Sequence, residues 1–169
     1  RGPRRVTVTR EQTADAVQVR AVHDGYADRF GIIHERTLVL AADCARLDGE
    51  DVFLPARGET LDRDSRDAFA VRFHLHPSVR ANRLSDGRGV MLTLPNKDVW
   101  TFFAPVERVE IEESVHLAGR DGPRRTSQIV IHGHAHKTPR VQWSFAHTPQ
   151  RAADVRHGRE QEPELPLGG

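Results

Sequence analysis

Apolar and polar residues alternate in short runs along most of this chain. In the run RRVTVTR the two valines alternate with threonine and arginine, and in FAVRFHLH the apolar positions are Phe69, Val71, Phe73 and Leu75. Successive side chains of a β-strand point to opposite faces, so this period of two is typical of a strand with one buried face. No stretch sustains the three-to-four-residue spacing of an amphipathic helix. The pattern therefore predicts an all-β protein.

About ten such runs are separated by turn residues, which favours an antiparallel β-sandwich. VMLTLPNKDVWTFF predicts a hairpin around residues 95–98, and the pair Asp48-Gly49 predicts another turn. The mixed polar segment 56–67 is predicted to be a surface loop. We assign the sandwich to residues 1–147. Residues 148–169 are polar and contain proline and glycine, so they are predicted to be a disordered tail.

The charge balance narrows the classes of partner. The chain has 25 lysine and arginine residues against 24 aspartate and glutamate residues, which argues against a protein that binds nucleic acid through bulk charge. No apolar run approaches the roughly 20 residues that span a bilayer, so no membrane partner is expected. Cys44 is the only cysteine, which excludes an internal disulfide. Because the chain starts with Arg1, we expect the natural N-terminus to lie upstream.

Three histidine groups are candidate sites: His23-Asp24 with His34, the pair His74 and His76, and the tract HGHAH. Residues i and i+2 of a strand share a face and lie about 6.5 to 7 Å apart, so His74 and His76 can face one ion. Zinc needs three or four ligands, and Asp24 is the best further ligand by residue type. The alternative is that both histidines lie on a half-solvated sheet face.

The tract HGHAH, residues 132–136, is the least regular of the three. Gly133 and Ala135 interrupt the strand pattern, and Lys-Thr-Pro follows directly. We interpret this tract as an exposed loop with only incidental metal affinity. Trp100 and Trp143 are the only tryptophans; they are candidates for sugar stacking, with burial in the core as the alternative.

Six blocks resemble the C-terminal region of heparinase II/III family proteins, and they occur in the family's order. They are HDGYADRFGIIHERTLVL, LDGED, FAVRFHLHP, IEESVHLAG, GPRRTSQIVI and VQWSFA. The resemblance covers nearly the whole chain and is closest to the alphaproteobacterial branch. It implies a β-sandwich that follows an α/α toroid, in a polysaccharide lyase that cleaves uronate-containing glycans by β-elimination.

The resemblance also implies which partners the chain has and where the catalytic residues lie. The expected partners are an acidic polysaccharide and the protein's own N-terminal toroid. The catalytic acid and base, typically tyrosine and histidine, are expected mainly on the toroid, upstream of this chain. Extracellular glycan substrates favour the periplasm, although the targeting segment would also lie upstream.

Sandwiches of this family often hold a structural metal, commonly zinc. The resemblance assigns Asp24 and His74 as its ligands, with His76 as the substitute and a first histidine upstream of residue 1. It places His23, Tyr26, His34, Arg36 and His76 in the substrate cleft. Packing between domains is the alternative for Tyr26 and His34. Arg36 is predicted to pair with a uronate carboxylate or to form a surface ion pair.

Two other hypotheses remain open from the residues alone. One is a free-standing carbohydrate-binding sandwich, which requires tryptophans exposed on one face. The other is a small metalloenzyme that uses His74, His76 and a carboxylate.

Overall fold

The computed structural model describes residues 2–58, 60–61, 67–105, 108–117 and 122–149. In this part of the chain, short strands separated by turns account for nearly all regular structure, which confirms the all-β prediction. The elements are β1 (Val6–Gln12), β2 (Ala16–Tyr26), α1 (Ala27–Phe30), β3 (Ile32–Ala41), β4 (Arg46–Pro55), β5 (Ala68–His74), β6 (Arg80–Arg83), β7 (Gly89–Thr93), β8 (Val99–Phe103), β9 (Glu110–His116), β10 (Arg124–His134) and β11 (Arg140–Thr148).

The strands form two antiparallel sheets of unequal size. The large sheet has eight strands in the order β1-β2-β3-β4-β11-β8-β7-β6, and the small sheet has three in the order β5-β10-β9. The predicted hairpin is confirmed, because β7 pairs with β8 from Thr93 opposite Val99 to Gly89 opposite Phe103. None of the described helices is long and apolar enough to cross a membrane.

The core lies between the small sheet and the middle of the large sheet. Its largest fully buried apolar side chains are Phe102, Ile129, Ile131, Val90, Val109 and Val141. Ile129 and Ile131 share the inner face of β10, as the alternation of the sequence predicts, whereas Val130 between them is buried on the opposite face. The small sheet does not cover the whole large sheet: on the edge strand β1, Val6 and Val8 are 58% and 59% exposed.

The predicted turn at Asp48-Gly49 is wrong, because both residues lie inside β4. Gly49 faces Trp143 across the β4–β11 pair. A Cβ atom at residue 49 would lie only 2.1 Å from Cζ2 of the Trp143 ring. The glycine therefore serves the close approach of an indole ring to the strand, and not a change of chain direction.

Segment 56–67 is only partly the surface loop that we predicted. Residues 59 and 62–66 lie outside the described part of the chain, but Asp67 at its end is 5% exposed and therefore buried. The predicted disordered tail falls almost entirely on residues 150–169, which are outside the described residues.

Candidate substrate groove

A groove of about 460 Å³ opens where the small sheet ends and the large sheet continues. Strands β2, β3 and β4 of the large sheet form its floor, and the edge strand β5 forms its wall. Among its lining residues are His23, Tyr26, Phe30, His34, Arg36, Asp51, Phe53, Phe69 and Arg72. The groove thus combines titratable groups with apolar walls, as ligand sites generally do.

A β-bulge brings Tyr26 into this groove. The β2–β3 register shifts between His23 and Tyr26. In a regular strand two residues three apart point to opposite faces, whereas a bulge re-aims the side chains that follow it. The rings of Tyr26 and His23 accordingly meet edge to face, with centroids 5.1 Å apart. Helix α1 then turns the chain into β3.

His23 and His34 lie on the floor of the groove and are linked in a chain of hydrogen bonds. Each group in the chain donates to the next, and the chain ends at Asp51. The backbone N–H of Gly25 donates to Nδ1 of His23 at 3.1 Å, so this nitrogen carries no hydrogen. In the neutral ring the hydrogen is then on Nε2, which donates to Nδ1 of His34 at 3.1 Å. Nε2–H of His34 in turn donates to Oδ1 of Asp51 at 2.6 Å. Every ring nitrogen of the two histidines is engaged.

Asp51 anchors this chain of bonds although its side chain is 0% exposed. Besides His34, it accepts hydrogen bonds from Nε of Arg36 at 2.8 Å and Nη2 of Arg36 at 3.1 Å. Nε1–H of Trp143 donates to its Oδ2 at 2.9 Å. A buried carboxylate with this many donors is fully satisfied, so it holds His34 and Arg36 in place.

The protonation states agree with this geometry. Burial is the largest influence on Asp51 and favours its neutral form, but the bonds from His34, Arg36 and Trp143 together hold the pKa of this carboxyl below its ordinary value. Partial burial lowers the pKa of His23 and outweighs the opposite effect of the Asp24 carboxylate, and the charge of Arg36 acts in the same direction as burial. At neutral pH the site therefore holds an ionised Asp51 and a neutral His23.

We expect His23 to be neutral and protonated on Nε2 at pH 7, and to titrate below the ordinary histidine value of about 6.5. Long-range proton–nitrogen correlation NMR reports both the tautomer and the titration. The His23→Gln variant assigns the signal by removing it. A resonance typical of a protonated Nδ1, or titration above the ordinary value, would contradict the hydrogen-bond direction given above.

The structure brings four of the five predicted cleft residues together: His23, Tyr26, His34 and Arg36 all line the groove. The fifth, His76, has other partners. Its Nδ1 lies 2.6 Å from Oγ of Ser78, and its ring meets His116 edge to face. Whether any of these residues contacts a substrate stays a prediction.

Four further groove residues were not predicted: Asp51, Phe53, Phe69 and Arg72. Asp51 is the informative case, since it shares one face of β4 with Leu47, Gly49 and Phe53. A carboxylate on the apolar face of a strand is a signal of a buried polar network. The turn predicted at Asp48-Gly49 hides this signal, because it breaks the strand alternation just before Asp51.

The proposed metal ligands Asp24 and His74 lie in different sheets. Oδ1 of Asp24 accepts the backbone N–H groups of Arg4 and Arg5 at 2.8 and 3.0 Å. Nδ1 of His74 lies 2.7 Å from Oγ of Ser114. Neither residue belongs to a group of three possible metal ligands within the described residues. Their shared metal site stays a prediction.

The tryptophans bear on the hypothesis of a carbohydrate-binding module. Trp143 is 5% exposed and packs in the core, so it is not available for sugar stacking. Trp100 is half-buried and packs against the same core. An exposed face carrying both tryptophans is therefore not present.

The two-sheet fold is also found in solved structures of heparinases. The solved structure of "heparan sulfate lyase HepC from Pedobacter heparinus" matches with a TM-score of 0.68 at 10% identity, over 88% of this chain and 22% of that chain. A heparinase III described as the BT4657 gene product matches with a TM-score of 0.63 at 8% identity, over the same shares of the two chains. Identities this low show the shared fold alone.

The comparison of sequences identifies the family to which this chain belongs. The family described as "Heparinase II/III-like, C-terminal" matches residues 1–144, so the chain belongs to it. A curated relative, "FtsZ-localized protein C" from Caulobacter vibrioides (strain NA1000 / CB15N), is 34% identical over 136 residues, which cover 77% of this chain and 23% of that protein. The chain thus spans under a quarter of the length of these relatives.

Proposed function

We propose that this chain is the sandwich part of a polysaccharide lyase, and that the groove of His23, Tyr26 and Arg36 forms its side of the substrate cleft. The groove's hydrogen-bonded floor is the observation that carries the proposal. Membership in the family supports a substrate that is an acidic, uronate-containing glycan. The catalytic acid and base are expected on the part of the protein that precedes this chain.

The groove residues suit the binding of an anionic sugar. Arg36 supplies positive charge from the floor, where its side chain is 36% exposed. Tyr26 is 46% exposed, so its hydroxyl can donate to a sugar oxygen while its ring contacts the apolar face of the sugar. Because His23 and His34 use every ring nitrogen within the hydrogen-bond chain, their role is to position Tyr26 and Arg36. We do not assign proton transfer to them.

The test is a lyase assay on the full-length protein with heparan sulfate, heparin and alginate. Release of unsaturated uronate is followed by its ultraviolet absorbance. We expect turnover of at least one glycan, and a KM that rises about tenfold or more in Arg36→Gln, because a charge-assisted contact contributes roughly 1.5 kcal/mol or more. The matched control is Arg46→Gln, since Arg46 also pairs with an aspartate, Asp48, but lies away from the groove. Circular dichroism checks that both variants are folded.

Two results would contradict the proposal. One is no unsaturated product and no binding of any of these glycans by the full-length protein. The other is turnover that Tyr26→Phe and Arg36→Gln leave unchanged, which would place the substrate elsewhere.

A second candidate is a binding role at FtsZ without turnover. The observation that favours it is the 34% identity to a relative described as FtsZ-localized, compared with 8–10% to the two lyases named above. In this case the groove binds a glycan or peptide and no bond is cleaved. Co-localisation of a fluorescent fusion with FtsZ, together with glycan binding but no unsaturated product, would support this role over the lyase.

A further inference from the structure

The three histidines of the HGHAH tract do not share one environment. Nε2 of His132 lies 2.8 Å from Oε1 of Glu112, on the outer face of the small sheet. His134 and His136 turn instead to Asp67, which lies 67 residues earlier in the chain than His134. The tract is therefore split between two sites, and the second brings three possible metal ligands together.

The second site is built around a buried carboxylate. Nδ1 of His134 lies 3.0 Å from Oδ1 of Asp67, and Nδ1 of His136 contacts Oδ2 of the same carboxylate. The Asp67 side chain is 6% exposed, that of His136 is 19% exposed and that of His134 is 47% exposed. The site is thus closed around the carboxylate and open to solvent at His134.

Backbone hydrogen bonds hold these residues in position. The N–H of Ala135 donates to the carbonyl of Asp67 at 3.0 Å, and the N–H of His136 donates to its Oδ2 at 2.9 Å. Ala135 is fully buried in the core cluster, which fixes the direction of the two histidines on either side of it. The end of β10 is therefore attached to the start of β5 before any ligand binds.

We propose that Asp67, His134 and His136 form a binding site for a divalent transition metal ion, with zinc as the first choice. One ligand atom from each residue lies within 4.8 Å of the others. Two imidazole nitrogens and one carboxylate oxygen are typical zinc ligands, and solvent at the open side completes four-fold coordination. The ion takes the place of the hydrogens between the rings and the carboxylate. Each neutral imidazole then carries its hydrogen on Nε2.

Charge and burial support a cation at this position. Burial is the largest influence on Asp67 and opposes its ionisation, but the N–H of His136 and the two imidazoles outweigh it and hold the pKa well below the ordinary value. The buried carboxylate is therefore ionised at neutral pH, and a divalent ion compensates its charge directly. The site is separate from Asp24 and His74 and does not depend on the glycan proposal.

A second cluster, formed by Glu110, Glu112 and His132, serves as an internal comparison. Its ligand atoms also lie close together, but the His132 side chain is 49% exposed and those of the two glutamates are about one-third exposed. Exposed acidic groups of this kind are well solvated without a metal, so we assign no site to them.

The test is zinc binding by the metal-free full-length protein, measured by calorimetry, with the d–d spectrum of cobalt as a second readout. We expect one zinc ion to depend on Asp67, His134 and His136. In His134→Gln and in Asp67→Asn its affinity should fall by at least about tenfold, the lower end of what losing even an outer-shell partner costs. His132→Gln is the matched control, because it removes a histidine of the same tract from the other cluster.

The two histidine variants distinguish the proposed site from the neighbouring cluster. Loss of one zinc ion in His134→Gln with retention in His132→Gln supports the site, and circular dichroism checks that each variant is folded. The half-exposed position of His134 makes its variant the safer one if Asp67→Asn does not fold. No zinc binding at micromolar concentrations, or a loss of zinc that is the same in His132→Gln as in His134→Gln, would overturn the proposal.

Discussion

Replacing Asp51 with alanine is expected to lower the free energy of unfolding by about 3–5 kcal/mol, the range measured when one partner of a buried ion pair is removed. The Asp51 side chain has no exposed surface and accepts hydrogen bonds from His34, Arg36 and Trp143. The variant leaves all three donors without their acceptor inside the protein. Urea denaturation of the variant and the wild type measures the difference.

The control for this prediction is Asp48→Ala, three residues earlier in the same strand. Asp48 is 44% exposed and pairs with Arg46 at the surface. Surface ion pairs of this kind contribute about 1 kcal/mol or less, so the control should remain close to the wild type. An equal effect of the two substitutions would show that the buried network does not stabilise the fold.

Asp51 also predicts how stability changes with pH. Its pKa in the folded protein lies below the ordinary value, so folding favours the ionised form. The stabilisation is therefore fully present above the unfolded pKa of about 4 and is lost as the pH falls through the folded value. In Asp51→Asn this part of the acid destabilisation is absent. A variant that loses stability with acid as steeply as the wild type would contradict the assignment.

The second large effect is expected at Gly49. An alanine Cβ would lie 2.1 Å from Cζ2 and 2.4 Å from Cε2 of Trp143, which is 5% exposed and held by its bond to Asp51. Overpacking of this kind costs about 1–3 kcal/mol and occasionally more, and we expect Gly49→Ala at the upper end of that range. Thermal unfolding followed by circular dichroism gives the change.

A double-mutant cycle isolates the cause. Trp143→Phe removes the second ring of the indole, which carries the atoms closest to the new Cβ. The cost of Gly49→Ala should therefore be smaller in the Trp143→Phe background than in the wild type. Gly2→Ala is a control for the change of residue type, because no atom lies within 4 Å of a Cβ at that position. Additive costs in the cycle would exclude the clash as the cause.

The candidate groove was partly predictable because its residues are close in sequence. His23, Tyr26, His34 and Arg36 belong to two consecutive strands, β2 and β3, joined by a short helix. Strands joined in this way pair with each other, so a cluster in the sequence becomes a cluster on one sheet face. Asp51 follows in β4, but its role depends on Trp143, 92 residues further along.

The sequence by itself determined the strand class and the apolar face of each strand. Period-two alternation is a local property, but whether an apolar face is buried depends on the opposite sheet, as the exposed Val6 and Val8 of β1 show. The tertiary structure alone decided two other features. Gly49 lies in a strand because a distant indole ring packs on it, and Asp67 joins His134 and His136 because β5 pairs with β10. Both depend on contacts between residues far apart in the chain, which local residue preferences do not encode.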